Sequence, residues 1–467
     1  MAAREGGKAP SLSPHVSRDF AAVGDIRAVF IRREKEGMST YSEEIAEFSV
    51  GLRFGSIPPE VIAKAKLHLL DSIGVGFASL PEPFARSILK TLKELSGKQE
   101  STIIGDEELS SKEYAACANG ALIHGLDYDD THIPSIVHAS SCIVPAVLAC
   151  GEAKKITGKE ALEALVLGYE VVTRIGMATD NKFHDRGVFH ATPLCGTFAV
   201  SLVAGKIGGE TAQQLVNGLG ICGSQGGGIQ QFLVDGTWVK KLHPGWAAHS
   251  GIIASLLASQ GFTGPSEVFE GNRGFFSAYL GLENCKLDLL TRDLGKVWET
   301  LRIQIKPYPC CLFNHSFIDC ALKLKKEHNI EWDEIKRVQC RIRPREASIV
   351  CEPVEKKRSV MTSYGGRFSL PYTIALALVE GKVGLEQFSE RYLSDERVIS
   401  TAGIVAYTKD ESLSQETDHF PGDVTIEMKN GKRYRHSEKC ERGSPENPLR
   451  EDEIKDKFRI NLARAGI

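Results

Sequence analysis

Leu301-Arg302-Ile303-Gln304-Ile305 alternates apolar and polar side chains, and Val338-Gln339-Cys340-Arg341-Ile342 does so again. Period-two alternation is the signature of a half-buried strand. The chain before them reads differently. Ile62, Ala65, Leu69, Leu70 and Ile73 keep a three-to-four spacing after Pro58-Pro59, as an amphipathic helix does. Similar stripes run through residues 160–179 and 211–222, with Gly, Ala and Ser that let helices pack closely. Ser39-Thr40-Tyr41-Ser42-Glu43-Glu44 has the spacing of a capped helix start. From Tyr41 to about Leu294 strand-like alternation is nearly absent. The expectation is therefore a mainly α protein, with a large all-helical domain followed by a smaller α+β lid.

Working outward from that change of texture, residues 38–297 form the helical domain and residues 298–437 the lid. Within the lid, residues 315–328 and 369–379 read as helices, and residues 423–428 and 432–436 flank Asn430-Gly431, a strong hairpin signal. Residues 448–465 read as helical, so the segment 438–467 is expected to return to the first domain. Residues 1–37 are polar and Gly- and Arg-rich, with five acidic residues and no signal-type apolar core. They are expected to be a disordered extension ahead of Met38.

Composition removes several classes. A net charge of -3 argues against nucleic-acid binding, and no apolar run was seen that would span a bilayer. The 12 cysteines are scattered, with no CxxC pair and no zinc spacing, which points to reduced thiols and the cytoplasm.

Four clusters carry chemistry. His124-Gly125-Leu126-Asp127-Tyr128-Asp129-Asp130-Thr131-His132, with His138 beyond it, brings three carboxylates and three imidazoles into one loop. Such a loop suits proton transfer, a divalent ion, or merely a solvated helix cap. Asp235-Gly236-Thr237-Trp238-Val239-Lys240-Lys241-Leu242-His243 follows glycines that do not form GxGxxG and have no strand before them, which argues against a dinucleotide site. Its cations between Trp238 and Trp246 suit a carboxylate ligand, or form a surface patch. Lys306-Pro307-Tyr308-Pro309-Cys310-Cys311 ends the first expected lid strand, with two prolines fixing where Lys306 points. Phe189-His190-Ala191-Thr192-Pro193 puts His190 at a helix start, where the dipole disfavours the imidazolium.

Together these segments resemble the MmgE/PrpD family, which includes 2-methylcitrate dehydratase, cis-aconitate decarboxylase and an iminodisuccinate epimerase. The resemblance rests on His124 with Leu126-Asp127-Tyr128-Asp129-Asp130-Thr131, Gly236-Thr237-Trp238-Val239-Lys240, Gly245-Trp246-Ala247-Ala248, Gly261-Phe262-Thr263-Gly264-Pro265, Lys306-Pro307-Tyr308-Pro309 and Phe368-Ser369-Leu370-Pro371-Tyr372. It implies a homodimer with its active site between a helical domain and a lid. It also implies catalytic residues at Asp127, Thr131, His138, His190, Lys240, Lys306 and Tyr372; from their own sequence context Lys240, Lys241, His243 and Lys306 are expected to bind a small polycarboxylate. The implied chemistry is a lyase or isomerase step needing no cofactor or metal: dehydration, decarboxylation or epimerisation beside a carboxylate. His190 is expected to be the neutral base. His138, in a loop of three aspartates, is expected to be a cation or proton donor. The competing readings are a metal-dependent hydrolase built on Asp127–Asp130, His132 and His138, and a binding protein without activity.

Overall fold

A computed structural model describes residues 39–95, 97–415 and 419–467, and the expected extension over residues 1–37 lies outside them. Helices of eight residues or more and the strands are numbered here in chain order. The helical domain contains α1 (Tyr41–Gly51), α2 (Pro59–Ala78), α3 (Pro83–Glu94), α4 (Lys112–His124), α5 (Ala139–Lys154), α6 (Gly158–Ala178), α7 (Ala191–Gly208), α8 (Ala212–Cys222) and α9 (Val239–Ser259). Its small strands are β1 (Ser101–Thr102), β2 (Leu109–Ser110) and β3 (Thr131–His132). The start of α1 is a capping box: Glu43 N–H donates to Thr40 Oγ1 at 3.2 Å and Thr40 N–H to Glu43 Oε2 at 2.7 Å.

Helix α7 is the axis of this domain, enclosed by α5, α6, α8 and α9. At 18 residues it matches a membrane span in length and hydropathy, a run that the sequence reading passed over, but it is mostly buried inside the protein. Helices α4 and α9 cross at backbone contact. A Cβ on Gly120 would stand 2.6 Å from Gly245 Cα, and one on Gly245 would stand 2.1 Å from the Cys117 carbonyl oxygen. Only glycine fits there. About one turn from this crossing, α4 ends at His124 and α9 begins with Lys240, Lys241 and His243.

The lid is a four-stranded sheet with helices packed on it. Its strands β5 (Ile335–Ile342), β6 (Val405–Lys409), β7 (Gly422–Met428) and β8 (Arg433–Glu438) lie in the order β6-β5-β7-β8. β5 is parallel to β6 and antiparallel to β7, and β7 and β8 form the hairpin around Asn430-Gly431, where Gly431 has φ 84°. Helices α10 (His315–His328), α11 (Leu370–Glu380) and α12 (Glu396–Gly403) complete it.

Leu301–Ile305 is not a strand of that sheet. Glu299–Arg302 is a 3-10 turn, and only β4 (Ile303–Gln304) is extended. β4 pairs antiparallel with β3, Thr131 opposite Gln304 and His132 opposite Ile303. Both β4 residues are buried, because the strand is wedged between the two domains with no wet face. Trp298 and Ile303 belong to the helical core, so the changeover in packing falls after Ile303, while Ile133 packs into the lid core. Beyond the lid, α13 (Glu451–Arg464) lies on α2, where Gly74 makes room for Phe458.

Candidate active site

The β3–β4 pairing fixes the loop after α4 against the segment that follows β4, so Asp127 meets Lys306. Asp127 takes φ 52°, a left-handed conformation that aspartate tolerates better than most residues. Lys240 Nζ donates to Asp127 Oδ1 at 2.7 Å. Lys306 Nζ stands 3.5 Å from the same oxygen and donates to the Asp127 carbonyl at 3.1 Å. All three side chains are nearly sealed from solvent. Burial pushes the Asp127 carboxyl up, but Lys240 and Lys306 outweigh it and hold the group well below the usual carboxylate range.

Four imidazoles face this ion triad. His138 Nδ1 donates to the Asp130 carbonyl at 2.8 Å, with Thr131 Oγ1 3.2 Å away, so its Nε2 carries the lone pair. His124 Nδ1 and Asp129 Oδ2 lie 2.7 Å apart and share a proton. His190 Nδ1 and His243 Nδ1 lie 3.1 Å apart, a contact that requires one neutral ring to donate and the other to accept. The Nε2 atoms of His124 and His190 are buried without a hydrogen-bond partner. Burial lowers all four rings' pKa values: His138 to about 3 and His243 to about 4, His124 and His190 well below normal. His190 is the N-cap of α7, as the sequence implied, yet burial and then Lys240 outrank its position as causes. His138 contradicts its expected charge. Asp129 favours its imidazolium, but burial together with Lys306, His124 and Lys240 wins.

Asp127, Thr131, His138, His190, Lys240 and Lys306 line one cavity of about 90 Å³, closed by Ile136, Gln230, Phe232 and Phe313. Three expected residues stand elsewhere. Tyr372 is buried in the lid core beside Gly366 and Phe388, with its hydroxyl donating to the Gln387 carbonyl at 3.3 Å. Lys241 turns into a different cleft, one helical step round α9 from Lys240. His243 is held against His190, behind the cavity lining.

Two buried cations that the sequence reading did not single out hold the site's loops together. Arg367 Nη1 donates to the carbonyls of Leu126 and Pro309, at 2.7 and 2.6 Å. Lys457 Nζ on α13 donates to the carbonyls of Tyr128 and Lys306, both at 2.9 Å, and pairs with Asp71 at 2.8 Å. His124 was also missed as a site residue, although it opens the densest cluster.

The metal set expected from Asp127–Asp130, His132 and His138 does not assemble. Lysines claim Asp127, His68 and Ser140 bind Asp130, and His132 Nε2 faces Glu299 at 3.1 Å. Among the described residues, the set that could hold an ion is His124, His138 and His190, with one ring nitrogen of each within 4.8 Å of the others.

A mainly helical fold thus brings cations and neutral imidazoles together in one buried cavity, an arrangement suited to a carboxylate ligand. The chain belongs to the MmgE/PrpD family: the model of the MmgE/PrpD N-terminal domain matches residues 43–288 and that of the C-terminal domain residues 308–466. A cis-aconitate decarboxylase of Aspergillus terreus is 27% identical over 444 residues, covering 91% of this chain and 90% of its own. A cis-aconitate decarboxylase of Homo sapiens is 25% identical over 445 residues, covering 91% and 89%. A probable 2-methylcitrate dehydratase of Saccharomyces cerevisiae is 22% identical over 376 residues, covering 75% and 70%.

Proposed function

We propose that the protein is a lyase that decarboxylates or dehydrates a small di- or tricarboxylate through a carbanion or enolate beside a carboxylate. Epimerisation is the third outcome that the same intermediate permits. The carrying observation is the convergence of Lys240 and Lys306 on Asp127, at 2.7 and 3.5 Å, beside an imidazole whose outer nitrogen is free.

The roles follow from the charges. Asp127 keeps the two ammonium groups paired and oriented while the site is empty of substrate. A substrate carboxylate entering beside them meets preorganised cations in a cavity that excludes water, where charge on a developing enolate is stabilised strongly. In decarboxylation the C–C bond breaks, CO₂ departs, and the electron pair left on carbon takes a proton from a neighbouring ammonium or hydroxyl. In dehydration the free nitrogen of His138 takes the α-proton, and the substrate hydroxyl, protonated by a neighbouring ammonium or hydroxyl as the C–O bond breaks, leaves as water. Thr131, 3.2 Å from His138, is placed to orient that ring or the leaving oxygen. The named relatives, which the chain matches over most of its length, support this reaction class.

The test is a ¹H-NMR screen of cis-aconitate, 2-methylcitrate and related acids in D₂O, together with CO₂ release. Turnover, or solvent exchange at a carbon beside a carboxylate, is expected with at least one acid. Absence of both across the panel would overturn the reading. We further propose that the reaction needs no bound cofactor and that the enzyme is a cytoplasmic homodimer. Light scattering tests its mass. The three-histidine set favours a second reading, metal-assisted chemistry. A stoichiometric divalent ion whose chelation abolishes turnover would establish it instead.

A further inference from the structure

Lys241 is the one cation at the start of α9 that this mechanism leaves unused. It is only 5% exposed, and it lines a cleft of about 660 Å³ formed with Glu82, Trp238, Tyr364 and Arg367, which shares no lining residue with the Asp127 cavity. Its Nζ stands 4.1 Å from the centre of the Phe84 ring and 4.8 Å from that of Tyr364. Among the described residues its ammonium has no ion pair and no hydrogen bond, and its backbone N–H is bonded to the Trp238 carbonyl. The features nearest to it have the same sign, although Glu82 and Glu390 also line the cleft. Among the described residues no side chain caps the start of α9 at Val239; the Lys241 N–H turns back to the Trp238 carbonyl at 2.9 Å, and the positive end of the dipole opens there. Arg367 adds a guanidinium, and the nearby Glu82 is taken by Arg464 at 2.7 Å. Burial and then Arg367 bring the Lys241 ammonium down to about 7, with Glu82 and Asp127 opposing them. Buried charge without a partner is costly, and two aromatic faces offset only part of that cost.

We propose that this cleft is a second binding site, for a small oxyanion: a carboxylate or phosphate group seated between Lys241 and the amino end of α9, with Arg367 beside it and the rest of the ligand against Trp238. The site is independent of the reaction proposed above. The missing counter-charge is the reason for it, since an oxyanion would pair the ammonium and cap the helix at once.

Calorimetric titration of the full-length protein with inorganic phosphate and with citrate, at pH 7.5 in buffers of different ionisation enthalpy, tests it. Binding is expected with proton uptake, because the anion raises the affinity of Lys241 for its proton. Glu82, Glu390, Lys240, Arg367 and Arg464 also face this region, so uptake is assigned to Lys241 only if Lys241→Met abolishes it. In that variant the affinity of this site should fall at least tenfold, while Lys306→Ala, which removes only binding in the other cavity, should leave the Lys241-dependent binding and proton uptake in place. Dependence on Lys241 for citrate alone identifies a carboxylate ligand, and dependence for phosphate identifies a phosphate ligand. Lys241→Met should melt at or above the wild-type temperature in anion-free buffer, because it discards an uncompensated charge. Affinity for both anions unchanged by Lys241→Met, or a clearly lower melting temperature, would overturn the proposal.

Discussion

His138 and Lys240 show what single residues contribute. The sequence places three aspartates around His138 and so argues for an imidazolium, but each aspartate has another partner: lysines for Asp127, His124 for Asp129, His68 and Ser140 for Asp130. His124 and Ser140 are local, but the lysines that claim Asp127 and the His68 that claims Asp130 lie more than 50 positions away, beyond any local reading. With Nδ1 donating to a carbonyl, His138 presents a fixed basic Nε2, whereas His190 shares its proton with His243. His138→Gln is therefore expected to slow solvent exchange in D₂O by about 10²–10⁴-fold. Retained exchange in that variant, with loss in His190→Gln, would return the base role to His190. Lys240→Met should lower kcat/KM by at least about 10²-fold, a loss typical of removing one charge-stabilising donor. It should still fold, since Lys306 continues to accompany Asp127, and activity within a few-fold of wild type would remove Lys240 from the mechanism. The depressed histidines also set the response to acid. His138 and His243 titrate near 3 and 4 when folded and near 6.5 when unfolded, so below pH 6.5 the unfolded chain takes up protons first. Stability is complete above pH 6.5 and should fall by up to about 1.4 kcal/mol per pH unit for each such histidine as pH drops towards 4. Melting temperatures across pH 7.5 to 4.5 measure this, and a flat profile down to pH 5 would contradict it.

At the scale of elements, local physics was legible where it was decisive. The capping boxes at Thr40, Thr157 and Thr211 are complete, Asn430-Gly431 turns the hairpin, and α10 spans the expected His315–His328. Period-two alternation failed at Leu301–Ile305, because it reports a strand with one wet face and β4 has none. Tyr372 was misplaced for a related reason. A helix N-cap at Ser369 reads well, but which way the first turn faces depends on the lid core that covers it. The crossing of α4 and α9 was legible only as small residues. Gly245→Ala would put a methyl 2.1 Å from a backbone carbonyl that no rotamer can move aside. It should cost about 1–3 kcal/mol or more and separate His124 from Lys240. Thermal denaturation and turnover should therefore both fall, and a variant stable and active as wild type would show that the helices can slide.

At the scale of the whole molecule, the site is stitched from four distant stretches, and Lys457 is the stitch that can be cut most informatively. Lys457→Met leaves Asp71 buried without its partner, a change expected to cost about 3–5 kcal/mol. Adding Asp71→Asn should return most of that stability, yet turnover should stay low because the carbonyls of Tyr128 and Lys306 are no longer drawn together. Full recovery of turnover in the double variant would reduce Lys457 to a structural ion pair. The same stitch has a consequence for the protein's birth. Tyr128 and the lysine that ties down its carbonyl are 329 residues apart, so synthesis at about 5–20 residues per second separates them by roughly 16–66 s. In the later part of that interval, once residue 297 has emerged, the helical domain can pack on the ribosome while its reactive loop still lacks that tie. A nascent chain is thus expected to stay chemically silent until α13 leaves the exit tunnel and docks on α2.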